Sequence, residues 1–177
     1  VLHGVEWNKD GTLVAAFAHQ GPTSVWRTDN GELQQTIGER TTAFNWQDGS
    51  SLAVRSESSV VTWDCELGQK TGELPTTDSE YIFRTSPDGK YLATASASSV
   101  KVRSLRTTEE VASMRSEGAP HAIRWTPDSN RILAVTETMI GVWNSGDQDF
   151  SFILDSNGYR FMSADWSPDG SRLASVD

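Results

Sequence analysis

Trp166-Ser167-Pro168-Asp169-Gly170, followed by Leu173-Ala174-Ser175, is the stretch whose reading decides the fold. Its first half is turn chemistry: proline pre-sets φ and Asp-Gly supplies the reversal. Its second half reads as a short strand. The same phrase recurs as Trp7-Asn8-Lys9-Asp10-Gly11 before Leu13-Val14-Ala15, and as Trp46-Gln47-Asp48-Gly49 before Leu52-Ala53-Val54. Two further copies are Thr85-Ser86-Pro87-Asp88-Gly89 before Leu92-Ala93-Thr94, and Trp125-Thr126-Pro127-Asp128-Ser129 before Ile132-Leu133-Ala134-Val135. The aspartates Asp10, Asp48, Asp88, Asp128 and Asp169 stand 38 to 41 residues apart. A second series, Trp26, Trp63, Arg103 and Trp143, runs in step with them at 37 to 40. Two series with one period define an internal repeat.

Each period reads as four short strands. In the fourth, Ala122 to Trp125 is a strand, 126–130 a turn, and Ile132 to Val135 a continuous apolar run of the kind buried on both faces. Met139 to Trp143 and Phe150 to Leu154 complete the unit. No window carries a sustained helical period, and Pro87, Pro127 and Pro168 punctuate the turns, so essentially no helix is predicted. Two positions before the tryptophan site stand Val5, Phe44, Phe83, Ile123 and Ala164. One four-stranded sheet cannot bury both faces by itself, and radial stacking of such sheets, a β-propeller, does. The expected fold is all-β: an incomplete β-propeller of four-stranded antiparallel blades, about four and a half of them, forming a single segment over 1–177. Blade limits fall near 1–38, 39–76, 77–117, 118–157 and, for the partial blade, 158–177. Trp46, Trp125 and Trp166 are expected to be largely buried between neighbouring blades.

The repeated turn, the Leu-Ala-Ser strand and a third strand ending in Trp63-Asp64 resemble the WD-repeat β-propeller family over nearly the whole chain. Positions matching Trp63-Asp64 read Trp26-Arg27, Arg103-Ser104 and Trp143-Asn144, so the repeats are divergent. The family's Gly-His pair ahead of the first strand is absent from every repeat. In the family that histidine joins a hydrogen-bonded network inside the blade. The resemblance therefore implies blades that rely on packing alone. Propellers close with roughly 4–8 blades, and the fifth repeat stops at Asp177 within its second strand. The expectation is part of a larger propeller, or a homo-oligomer, with raw apolar ends at Val5, Trp7 and Leu13 and at Ser163 to Asp177.

The chain has 177 residues, 36% of them hydrophobic, a net charge of −9 and a pI of about 4.8. That composition excludes a disordered chain and disfavours unassisted nucleic-acid binding. A single cysteine, Cys65, excludes an internal disulfide framework and fits a reducing compartment, the cytoplasm or the nucleus. No apolar run approaches the roughly 18 residues of a membrane helix. No nucleophile elbow, zinc-helix, phosphate-loop or dinucleotide motif occurs, so the chain is read as no enzyme. His3 and His121 share a register on non-adjacent repeats, too far apart for a metal, and no cofactor is implied.

The resemblance places partner contacts on the loops before the first strand and between the second and third. Aromatic and arginine side chains most often anchor interfaces. The candidates are Tyr81, His121, Tyr159, Arg160, His19 and Arg40. The residues just before the tryptophan sites, Glu6, Asn45, Arg84, Arg124 and Asp165, would line the central channel of a propeller. Arg84 and Arg124 offer an anion site there, with solvated charges as the plainer alternative. Two functions follow: a scaffold presenting loops to a protein partner or, alternatively, a ligand-binding or enzymatic propeller using the channel.

Overall fold

Short apolar runs separated by Asp-Gly and Pro-Asp turns have only their sequence neighbours within easy reach, and within each sheet every strand pairs antiparallel with the next along the chain. The computed structural model describes residues 2–18, 21–38, 40–47, 49–77, 79–145 and 151–177. The chain divides into two compact units, 1–78 and 79–177. In the first unit, β1 (Leu2–Trp7), β2 (Leu13–Ala18), β3 (Thr23–Arg27) and β4 (Leu33–Ile37) form one four-stranded sheet. A second contains β5 (Ala43–Trp46), β6 (Ser51–Arg55), β7 (Ser59–Asp64) and β8 (Gln69–Pro75). In the second unit the third sheet contains β9 (Ile82–Thr85), β10 (Tyr91–Ser96), β11 (Ser99–Ser104) and β12 (Glu110–Arg115). The fourth contains β13 (Ala122–Trp125), β14 (Arg131–Val135), β15 (Met139–Asn144) and β16 (Phe152–Asp155). The fifth has two strands, β17 (Ser163–Trp166) and β18 (Leu173–Val176). None of the described residues is helical, and none lies in a helix long and apolar enough to cross a membrane. The fold is all-β, an incomplete β-propeller of about four and a half blades.

One hydrogen-bonded turn ends the first strand of successive blades. The Ser86, Thr126 and Ser167 hydroxyls donate to Asp88, Asp128 and Asp169 at 2.6, 2.5 and 2.5 Å. The same oxygens accept the backbone N–H of Tyr91, Arg131 and Arg172 at 3.0, 2.9 and 2.9 Å. Donors gathered on a carboxylate favour its charged form. The Ser167 hydroxyl, then the Ser171 N–H and hydroxyl, hold Asp169 down at about 2. The Thr126 hydroxyl and Asn130 N–H likewise lower Asp128. At Asp88 burial pushes upward, and the donors on Ser86 and Lys90 together outweigh it. The residue after the aspartate is left-handed, with φ of 74° at Gly11, 69° at Gly89 and 68° at Gly170. Ser129 fills that place at 64° despite its Cβ, and its hydroxyl accepts the Asp88 N–H of the preceding blade at 3.0 Å.

Stacked blades bury the inner strands from both sides. In the second unit Ile132 and Ala134 of β14 face a cluster with Ala93, Ala95, Val102, Met114 and Trp125. The alternating Leu133 and Val135 join Ile140, Val142 and Ala164 on the other face. That is the two-sided burial read from the apolar run. In the first unit Leu13, Val25, Leu52, Val54 and Cys65 pack around Trp46. Trp46 and Trp125 are 9% and 8% exposed, as expected. Each indole N–H donates to the carbonyl of the residue before the preceding blade's tryptophan site, Trp46 to Glu6 and Trp125 to Arg84, both at 3.0 Å. Trp166 departs from the expectation and is half-buried. It packs under the Arg131 guanidinium at 4.9 Å, and its blade contributes only two strands to its cover. Leu13 also departs: it is buried in the first-unit core, while Val5 and Trp7 are exposed. Residue 13 opens β2, an interior strand paired on both edges.

Candidate functional site

The loop that introduces β9 is fixed by a buried charge network. Glu80 and Arg103 have side chains only 4% and 13% exposed. The Arg103 guanidinium grips both Glu80 oxygens, at 3.3 Å on Oε2 and in a shorter contact on Oε1. The Thr94 hydroxyl donates to the same carboxylate at 2.9 Å. Arg103 occupies the register that holds Trp26, Trp63 and Trp143 in other blades. This corrects the expectation of blades held by packing alone: the third has an intrablade polar network built from Glu, Thr and Arg. The sequence exception at Arg103 was its signal.

Tyr81, the next residue, stands four before the tryptophan site, a register shared with His121 and Met162. These three side-chain positions link one loop to the next. The Tyr81 hydroxyl donates to Pro120 O at 2.8 Å and reaches Ser96 O at 3.2 Å, and burial pushes its phenol up. His121 Nε2 lies 3.2 Å from Met162 O. A carbonyl oxygen only accepts, so Nε2 carries the proton and Nδ1 is an acceptor in the neutral ring. Phe161 N–H donates to Glu137 O at 2.9 Å, and Arg160 lies 3.3 Å from the Glu137 carboxylate. Antiparallel order puts all these loops at one end of the second unit's sheets, a rim made by residues 79–81, 116–121, 136–138 and 156–162. An open groove of about 380 Å³ is cut into it, lined by Glu117, Gly118, Ala119, His121, Thr136, Glu137 and Thr138. Tyr159 and Met162, each 68% exposed, stand on the same rim.

Four of the candidate partner residues, Tyr81, His121, Tyr159 and Arg160, thus share that rim. Arg40 belongs to the first unit, where it pairs with Glu57 at 3.3 Å with both side chains exposed. His19 lies outside the described residues. The sequence puts Glu117 and Glu137 on the same partner-facing loops and Met162 in the register of Tyr81 and His121, but side-chain type alone singled out none of the three. The two glutamates are brought together by the β13–β14 pairing, in which His121 N–H donates to Val135 O at 2.8 Å.

Arg84 and Arg124 sit on neighbouring first strands, β9 and β13. Each guanidinium donates to its own strand, Arg84 to Phe83 O at 2.9 Å and Arg124 to Ile123 O at 3.0 Å. Arg124 also lies 3.6 Å from the Asp165 carboxylate on β17. Cys65 is buried, and burial, aided by the Asp64 charge, pushes its thiol up to about 12, which suits a structural thiol. Among the described residues no three His, Cys, Asp or Glu side chains converge as a metal set requires.

No protein-family model matches the chain. It is 29% identical over 76 residues to the human F-box-like/WD repeat-containing protein TBL1Y, a match covering 40% of this chain and 14% of that protein. It is 30% identical over 77 residues to Eukaryotic translation initiation factor 3 subunit I of Xenopus laevis, covering 41% of this chain and 24% of that protein. Among solved structures, a chain in a crystal structure of the Mitotic Checkpoint Complex superposes with a TM-score of 0.81 at 20% identity, over 98% of this chain and 56% of that one.

Proposed function

We propose that the chain, a β-propeller similar to WD-repeat proteins, is a non-catalytic module whose second-unit rim docks a partner protein. The observation that carries this reading is the exposure of Tyr159 and Met162 beside Tyr81 and His121 on loops tied together by side-chain and backbone hydrogen bonds. Large side chains displayed on a preorganised support lose little entropy on binding and make good anchors. The Tyr81–Pro120 and His121–Met162 contacts supply that support. The solved chain on which this one superposes comes from a structure of a complex, the Mitotic Checkpoint Complex, which agrees with a docking role. Arg84 and Arg124 are secondary, because their guanidinium groups already serve backbone carbonyls.

A second contact belongs to the same reading. Val5 and Trp7 occupy the registers that Phe44 and Trp46 hold in the next blade. At 67% and 60% exposed they fit a face on which a further blade, of a larger propeller or of a second copy, would pack. A reducing compartment, cytoplasm or nucleus, suits the buried thiol of Cys65.

The test is co-purification with the full-length protein from its own cells. Tyr159→Ser with Met162→Ser should release the partner, while Arg106→Ala, in a turn at the opposite end of the sheets, should not. A partner retained by the double variant, or lost equally with Arg106→Ala, would refute docking at the rim.

A further inference from the structure

Resting on the docking reading, we propose that the rim groove receives a cationic side chain, an arginine or lysine carried by an exposed segment of the partner protein. The walls of the groove are rich in acceptors. Glu117 and Glu137 bring two carboxylates to it, and His121, committed to donating from Nε2 to Met162 O, keeps an acceptor on Nδ1 when neutral. The structure already contains the corresponding contact in miniature: Glu137 holds the Arg160 guanidinium at 3.3 Å, with both side chains largely exposed. Such an exposed pair is weak and yields readily to a competing cation.

Two further features favour this occupant over an acidic or purely apolar one. The chain carries a net charge of −9, which steers basic partners toward it. Met162, whose carbonyl lies 3.2 Å from His121 Nε2 at the groove, and Tyr159 stand exposed on the same rim, side-chain types that suit the alkyl stem and flanks of a long cationic residue. A groove of about 380 Å³ accommodates one such side chain and its flanking backbone.

The experiment uses the full-length protein and a short, blocked, fluorescently labelled peptide containing one arginine, beside an otherwise identical peptide containing citrulline. Fluorescence anisotropy should show tighter binding of the arginine peptide, weakening as salt is raised. Glu117→Gln and Glu137→Gln should each weaken it by about two- to fivefold. Both residues are exposed, so unchanged melting curves will show that the variants remain folded. Equal binding of the two peptides, no detectable binding, or an affinity indifferent to both variants would overturn the proposal. Co-purification that still depends on Tyr159 and Met162 would then leave rim docking standing and remove only the cationic occupant. Loss of that dependence would instead count against the docking reading itself.

Discussion

Replacing Arg103 by alanine removes the counter-charge from a carboxylate that water hardly reaches. In the folded chain Glu80 is held by the Arg103 guanidinium and by the Thr94 hydroxyl at 2.9 Å, and the Glu80 side chain is 4% exposed. Breaking a buried pair from one side typically costs about 3–5 kcal/mol, because an uncompensated charge is left behind. Proton uptake sets a ceiling. Protonating an ordinary glutamate, with a solution value near 4.3, costs about 4 kcal/mol at pH 7, and the carboxyl escapes any larger penalty by that route. The expected loss at pH 7 is therefore about 3–4 kcal/mol, or roughly 6–16 °C in Tm for a chain of this size. The same ceiling falls to about 1 kcal/mol at pH 5. The sign follows from linkage: the folded variant binds the extra proton more tightly than its unfolded chain, so its deficit grows as pH rises. Urea titrations followed by tryptophan fluorescence at pH 7 and pH 5 measure both numbers. Giving the third blade the pair that the second carries at these registers, Thr41 and Trp63, by Glu80→Thr with Arg103→Trp, should recover much of the loss, since uncharged replacement of a buried pair is often neutral or better. A parent-like midpoint for Arg103→Ala at pH 7, or a deficit as large at pH 5 as at pH 7, would refute the reasoning.

Trp125→Phe keeps most of the buried ring but removes the indole hydrogen bond to Arg84 O, and should cost about 1–3 kcal/mol by chemical denaturation; Trp125→Ala should cost about 3–5 kcal/mol. The turn carboxylates Asp88, Asp128 and Asp169 are all depressed below the ordinary 3.8. Their contribution is present above that value and is lost as pH falls toward about 2, the level at which Asp169 titrates. An acid titration by circular dichroism should therefore show stability falling through this window, and Asp169→Asn should flatten part of the fall. Ser129→Gly relieves a left-handed backbone at 64° but removes the acceptor for the Asp88 N–H, so thermal melts should show a change within about 1 kcal/mol of zero.

The blades were legible because the turn chemistry and the strands repeat together. Asp128 and Trp143 each mark one end of a hairpin, and two-sided burial of Ile132 to Val135 follows from an unbroken apolar run. The half-burial of Trp166 was not legible, because its register is that of Trp46 and Trp125 and only the tertiary cover differs. The Glu80–Arg103 network escaped for a related reason: the residues lie 23 apart and their meeting depends on the registers of β9 with β10 and of β10 with β11. At the rim, loop position and side-chain type pointed to Tyr81, His121, Tyr159 and Arg160. The groove between Glu117 and Glu137 arises only when the connection from β12 into β13 meets the β14–β15 turn.

The most direct test of rim docking is hydrogen–deuterium exchange on the full-length protein, alone and bound to its co-purified partner. The account predicts slowed exchange in residues 79–81, 116–121, 136–138 and 156–162 on binding. It predicts no change in the turns 86–90, 126–130 and 167–171 at the other end of the same sheets. Protection confined to those turns, with the rim exchanging as fast in the complex as in the free protein, would contradict it.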